Sequence, residues 1–502
     1  MSLKKNVVAN FLGQGWVAIM GIAFVPTYIK YLGIEAYALI GVFAIMQTCL
    51  SLLDMGITPT LNREMARFTS GTHTAQSIRS LLKSLEIICF LVALFCGLLI
   101  WSASDWLASE WLHASKLSIG AVKQAIEIMG FVAALRFVES IYRGSILGLQ
   151  KQVFFNLVNS SFATLRAIGA ILVLIYISPR IEVYFAWQGL VSIISLTTLA
   201  YFTHKTLPKA PLPAKFSIKA LMDIRHFAGG MMAATLLALL LTQLDKILLS
   251  RFLTLDKFGY YTLAATVASV IVMLVSPITQ AFYPRFTELV VKKDNVKLIS
   301  AYHLSAQLVT ILATPPALIL IFFSNNILLL WTGNSVLSHQ VTPLLTILAL
   351  GTLLNGLMHI PSMLALAHGW SAFAFWVNLV AIFLLLPAIL WTTPHYGPLG
   401  AAWSLLLLNI GYVFVGIHFM HSRILPLEKW RWYCKDILLP ILAGTLVAGF
   451  FRLTEPVAMV KTEEFLWLIV VGFSIFATTA ISANEVRLLT ANKVLKHIRT
   501  YG

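Results

Sequence analysis

Three basic side chains interrupt apolar runs of this sequence: Arg136, Arg166 and Lys246. The two arginines lie on either side of a short turn, Gly148-Leu149-Gln150-Lys151. An arginine at mid-bilayer depth costs roughly 2.5–3.5 kcal/mol on insertion scales, so a chain that keeps two of them faces them toward water or an anion. A guanidinium offers a rigid fork of donors that matches the oxygens of a phosphate. The chemistry on offer is therefore anion recognition. Bond-making chemistry has no carrier, because the chain has no Walker A motif, no metal-ligand spacing and no nucleophile elbow. No cofactor is expected.

Arg166 has only Phe162, Ala163, Gly169 and Ala170 at helical spacing, and none of these can neutralise it. It reads as an anion contact, with a structural pair to Glu127 or Glu139 on another helix as the alternative. Arg136, Glu139 and Arg143 lie at i, i+3 and i+7, one face of one helix. Glu139 is placed to bridge both arginines, and the face still keeps one positive charge. Arg143, nearer the cytoplasmic end, reads as a substrate contact or an interfacial anchor. Asp245 and Lys246 are adjacent, about 100° apart on a helix, so they do not pair with each other. Lys246 is a further candidate anion contact, and Asp245 its tether or a proton site for coupling. Glu127 is a candidate coupling carboxylate or an interfacial residue. His303 and His359 read as core histidines.

These side chains need membrane-spanning helices to hold them. Of 502 residues, 59% are hydrophobic and 11% charged, against about a quarter charged in soluble chains. About 14 hydrophobic segments can be counted, each near the 20 residues that span a bilayer. The fourth, 121–147, is interrupted by charge, and the last two, 436–453 and 464–482, are short. The net charge of +16 belongs to cytoplasmic loops, so nucleic acid is not expected as a partner. With both termini cytoplasmic, about 25 lysines and arginines fall on the inner side and about 8 on the outer. Cys49, Cys89, Cys96 and Cys434 form no disulfide framework.

The expected fold is an all-α polytopic membrane protein with two parallel six-helix bundles around a central cavity, plus two C-terminal helices. The long polar linker, including LPKAPLPAKF, divides the first 12 segments evenly. A weak repeat offset by about 220 residues relates the halves: Gly33–Tyr37 matches Asp256–Tyr260, and Leu149-Gln150 matches His368-Gly369. The resulting domains are 1–205 (N-terminal lobe), 206–226 (cytoplasmic linker), 227–421 (C-terminal lobe) and 422–502 (two extra helices and a basic tail). Pro26, Pro277, Pro284, Pro315, Pro316, Pro361 and Pro387 fall in or at the ends of helices, where they kink.

The order of Leu32-Gly33 with Tyr37, Asp54-Met55-Gly56 running into Leu61-Asn62-Arg63-Glu64, Leu147-Gly148-Leu149-Gln150 with Asn156, and Leu244-Asp245-Lys246 with Gly259-Tyr260-Tyr261 resembles the O-antigen and polysaccharide flippases (Wzx type). These belong to the multidrug/oligosaccharidyl-lipid/polysaccharide exporter superfamily. The resemblance implies an undecaprenyl-diphosphate-linked oligosaccharide as cargo and a bacterial inner (cytoplasmic) membrane as location. It also implies membrane lipid and other polysaccharide-assembly proteins as partners. Alternating access through a cationic cavity is the mechanism expected. Rival readings are a lipid II flippase, a multidrug exporter of the same superfamily, or a membrane polymerase or ligase. The multidrug exporter would want carboxylates in the first segment, which has none. The polymerase or ligase would want a large outer loop, and the outer loops are short.

Overall fold

The computed structural model describes residues 3–54, 56–69, 71, 73–218, 222, 240, 242–456 and 459–487. The elements of the described residues are all helices. Among the described residues the only extended pairing is an isolated bridge between His113 and Thr254. Twelve helices there are long and apolar enough to cross a membrane. Ile119–Gly148 is a 30-residue helix that carries Lys123, Glu127, Arg136, Glu139 and Arg143, too many charges to count among the twelve. The first half of the expected seventh segment, 227–239, lies outside the described residues, as do the end of the linker and the tail beyond 487. The chain divides into two compact units, Met1–Gly259 and Tyr260–Gly502.

In the first unit the charged helix Ile119–Gly148 is the central one. It packs against Ile34–Leu52, Ile57–Thr69, Ala75–Trp106 and Ile181–Thr206, while Leu3–Ala23 packs on Gln152–Tyr176. Its buried stripe is rich in small residues, among them Ala125, Ala133, Gly144, Ser145 and Gly148. Small residues let helix backbones approach where lipid offers no hydrophobic drive. At Gly148 a Cβ would sit 2.3 Å from the Asn62 carbonyl oxygen, so any larger residue forces the Ile57–Thr69 helix away. The helix starts on a Ser118 cap, whose Oγ accepts the Ala121 N–H at 3.2 Å. It ends at a turn where Gln150 adopts φ 57°.

Two further features shape this unit. The first apolar run breaks at Phe24, and Val25–Leu32 restarts with proline in its first turn, where the missing N–H costs nothing. Glu35, in the first turn of Ile34–Leu52, is buried. Its carboxylate accepts the backbone N–H groups of Ser115, Lys116 and Leu117 and the Ser115 hydroxyl.

The second unit is built on Asn295–Phe322, which packs against Val270–Val291, Ser335–Ala367, Leu439–Leu453 and Lys461–Ser482. The last two helices thus belong to this unit's core. Leu318 and Phe323 bury with Ala448, Leu468, Val471 and Ile475. The helices Ser335–Ala367 and Ser371–Tyr396 meet at a turn with Gly369 at φ 73°. A left-handed residue therefore sits in both turns that the repeat pairs. Proline lies inside four helices of this unit, including Pro315 and Pro316 in the C-terminal third of its central helix.

Both units turn large apolar side chains outward, among them Phe90, Phe95, Phe383, Phe450 and Phe473. Helices satisfy their own backbone polar groups, and lipid accepts such a surface. The chain is a multi-pass membrane protein.

Candidate functional site

Arg136 projects from the central helix of the first unit into a ring of neutral acceptors. Its guanidinium donates to Gln188 Oε1 at 2.9 Å, to Gln47 Oε1 at 3.1 Å and to Ser192 Oγ at 3.3 Å. Its carbon centre lies 5.1 Å from the Phe43 ring centroid, a cation–π contact that helps hold a charge out of water. No carboxylate among the described residues lies within ion-pair distance of it. Gln47 and Phe43 come from Ile34–Leu52, and Gln188 and Ser192 from Ile181–Thr206, so three helices converge on this one cation.

Arg166 does have a carboxylate. Its Nη2 donates to Glu139 Oε2 at 3.4 Å, with both side chains largely buried. This contact crosses from Gln152–Tyr176 to the central helix, the pairing held above as the alternative for Arg166. Glu139 takes its second hydrogen bond from Ser195 Oγ at 3.0 Å. It forms no ion pair with Arg136 or Arg143, contrary to the bridging expected from their spacing. The reason is geometric: the i, i+3 neighbours share a face, but the acceptors of Ile181–Thr206 draw Arg136 sideways and leave Glu139 to the next helix. At 3.4 Å the Arg166–Glu139 contact is longer than the usual 2.7–3.2 Å, and Arg166 Nε is buried without a hydrogen-bond partner. Gly169, one turn on, allows the Trp187 ring to lie against the backbone, where a Cβ would come within 2.1 Å of it. Trp187 Nε1 then donates to the Leu165 carbonyl at 3.2 Å.

The two arginines and one glutamate leave one positive charge in the middle of the unit. The flanking surface is polar but neutral: Trp16 Nε1 donates to Thr164 Oγ1 at 2.8 Å, and the Tyr28 hydroxyl donates to the Ala167 carbonyl at 3.2 Å. Such a seam can hold an anion with hydroxyls attached.

The other candidates lie elsewhere. Arg143 is exposed and stacks over Phe155 at 5.5 Å. Glu127 accepts from Ser104 Oγ at 3.2 Å, while nearby Lys123 pairs with Asp105 at 2.9 Å. Lys246 is half-buried in the helical stretch 242–252, with no carboxylate within ion-pair distance among the described residues, and Asp245 beside it is buried. Two acidic residues of the quoted motifs serve local structure. Asp54 accepts the Thr58 N–H at 3.1 Å and its hydroxyl at 2.8 Å, which starts the Ile57–Thr69 helix; burial raises its carboxyl above the ordinary range. Glu64 is buried and gathers Arg67 at 3.1 Å and His73 at 2.6 Å.

Gln47, Gln188, Ser192 and Ser195 were not singled out in the sequence. Their signal is available in principle, because amides within apolar spans need partners. No metal-holding group of His, Cys, Asp or Glu occurs among the described residues, and the four cysteines are free.

A family profile described as polysaccharide biosynthesis protein matches residues 3–290. A putative O-antigen transporter of Shigella flexneri is 22% identical over 409 residues, covering 81% of this chain and 95% of that protein. The lipopolysaccharide biosynthesis protein WzxC of Escherichia coli (strain K12) is 27% identical over 238 residues, 47% of each chain. Among solved structures, the lipid II flippase MurJ in an inward closed conformation superposes with a TM-score of 0.71 at 13% identity, covering 94% of this chain and 97% of that one; at that identity the likeness is one of fold. The matched range includes the helices that carry Arg136 and Arg166, and the relatives are those that the motif order from Leu32 to Tyr261 pointed to. This multi-pass membrane protein belongs to the polysaccharide biosynthesis protein family.

Proposed function

We propose that the protein is a flippase that moves an undecaprenyl-diphosphate-linked oligosaccharide across a bacterial inner membrane by alternating access, with both termini cytoplasmic. Arg136 is the primary contact for the diphosphate, and Arg166 lends its idle donors. What carries the reading is the surplus guanidinium of the first unit, held by two amides and a hydroxyl. An unpaired charge in a membrane interior is costly. Neutral acceptors can release Arg136 to an anion without leaving a carboxylate stranded. The same amides and hydroxyls suit sugar groups next to the phosphates. The chain is a transporter and not an enzyme, in keeping with its relatives.

The polyprenyl tail stays in lipid while the head occupies the seam. A membrane potential negative inside favours outward movement of the anion by about 2.3 kcal/mol per charge per 100 mV, and it favours inward return of the empty cationic site. The test is a deletion strain. Single undecaprenyl-linked repeat units should accumulate on the cytoplasmic face, and the intact gene, unlike Arg136→Ala at equal protein level, should clear them. Accumulation on the outer face would instead point to a polymerase.

A further inference from the structure

The second unit contains a cluster that the arginine site does not use. His303, fully buried on the unit's central helix, directs both ring nitrogens at carboxylates. Nδ1 meets Asp436 Oδ2, and Nε2 lies 2.9 Å from Glu428 Oε2. Asp436 is also fully buried, and its other oxygen accepts from Gln307 Nε2 at 2.8 Å. Gln307 Oε1 in turn accepts the backbone N–H of Glu485 at 2.8 Å, just past the Lys461–Ser482 helix. Asp436 reaches His303 from a π-helical stretch, Trp432–Leu438, a wide turn that shifts register and often marks a functional position.

We infer that His303, Asp436 and Glu428 form a proton-binding site that latches the stretch 428–438, which leads into the Leu439–Leu453 helix, to the unit's central helix. The argument is a count of hydrogens. Two hydrogen bonds need two protons, whichever atoms carry them. A neutral imidazole between two ionised carboxylates has only one, so one nitrogen would face a carboxylate lone pair to lone pair. The observed arrangement therefore holds one proton more than neutral histidine supplies.

The surroundings favour that extra proton. Arg431 pairs with Glu485 at 2.6 Å and reaches Glu428 at 3.5 Å. In the ion pairs of the described residues, a charged His303 joins Arg431 in facing the carboxylates of Asp436, Glu428 and Glu485. His421 has two neutral partners and, among the described residues, no carboxylate within ion-pair distance. Its Nδ1 lies 3.1 Å from the Ile417 carbonyl and donates to it, and its Nε2, 3.1 Å from the Tyr302 hydroxyl, has there a donor that satisfies a neutral ring. Lys429 is turned to His418, and Tyr433 donates to the Val413 carbonyl. When the proton leaves, one contact must open. Asp436 is fixed by Gln307, whereas the Glu428 side chain is 18% exposed, so the latch opens at Glu428.

The experiment is hydrogen exchange, followed by mass spectrometry, on the full-length protein in lipid nanodiscs from about pH 6 to about pH 9, the range around histidine's ordinary titration. Peptides spanning 428–438 and 484–487 report the latch, with exchange corrected for its intrinsic pH dependence. Wild-type protection should fall as pH rises, by up to about tenfold per pH unit, the limit for one linked proton. Glu428→Gln should keep high protection with no slope, because its amide can donate to a neutral ring. His303→Gln should also lose the slope; if it does not fold, the Glu428 variant decides. A flat wild-type profile, or a Glu428→Gln profile parallel to wild type, overturns the proposal.

Discussion

The two units each bury a polar cluster on their central helix, and they treat charge in opposite ways. Around His303 every charged group has a charged partner, and Asp436 is sealed from solvent. Around Arg136 the partners are amides and a hydroxyl, and cations outnumber carboxylates. A cluster in which each charge meets an opposite one serves architecture, because removing one member strands another. A guanidinium held by neutral groups alone is poised for an anion the protein itself does not contain. The contrast separates a site that holds helices together from a site that waits for cargo.

The contrast is broken most directly by exchanging the expected phenotypes. Asp436→Ala should lower the stability of the purified protein by about 3–5 kcal/mol, the usual cost of opening a buried pair from one side, as read by thermal unfolding in detergent. A stable Asp436→Ala protein would remove the architectural role. Arg136→Ala should do the reverse, with stability unchanged or improved and transport reduced roughly 10- to 150-fold. That range corresponds to hydrogen bonds to a charged group worth about 1.5–3 kcal/mol. Arg136→Lys, which keeps charge but loses the fork, should fall between wild type and alanine in surface polysaccharide. Equal loss of stability and transport in Arg136→Ala would erase the distinction.

The smallest effect sharpens the position of Arg166, which has features of both clusters. A double-mutant cycle with Glu139 should give a coupling of about 1 kcal/mol, modest because the contact is long. Arg166→Ala should also reduce transport, and Glu139→Ala should not restore it. If the double mutant regains full transport, Arg166 is only Glu139's partner.

Much of this was legible in the sequence and some was not, for reasons of distance along the chain. The apolar runs, the turn at Gly148–Lys151 and the basic residues inside helices are local signals, and each appears where the spacing places it. Glu139 shows where local reading fails. Its same-face neighbours are Arg136 and Arg143, but its partner is Arg166 on the following helix, a contact that spacing along one helix cannot show. The His303 cluster was illegible for the same reason. His303 and Asp436 lie 133 positions apart, with no periodicity linking them, and a π-helical turn sets the register that joins them. Gln47 and Gln188 carry no charge to draw attention in an apolar run, though an amide there has few other ways to be satisfied.

Glu35 has a consequence for how the first unit can move. Three consecutive peptide groups of the 113–118 loop are tied to one carboxylate at the start of Ile34–Leu52, so loop and helix travel as a single rigid arm. Flexing is left to the interruption at Phe24, where the preceding helix has already given up its continuous ladder. The first helix can bend there like a wrist while the arm beside it keeps its shape.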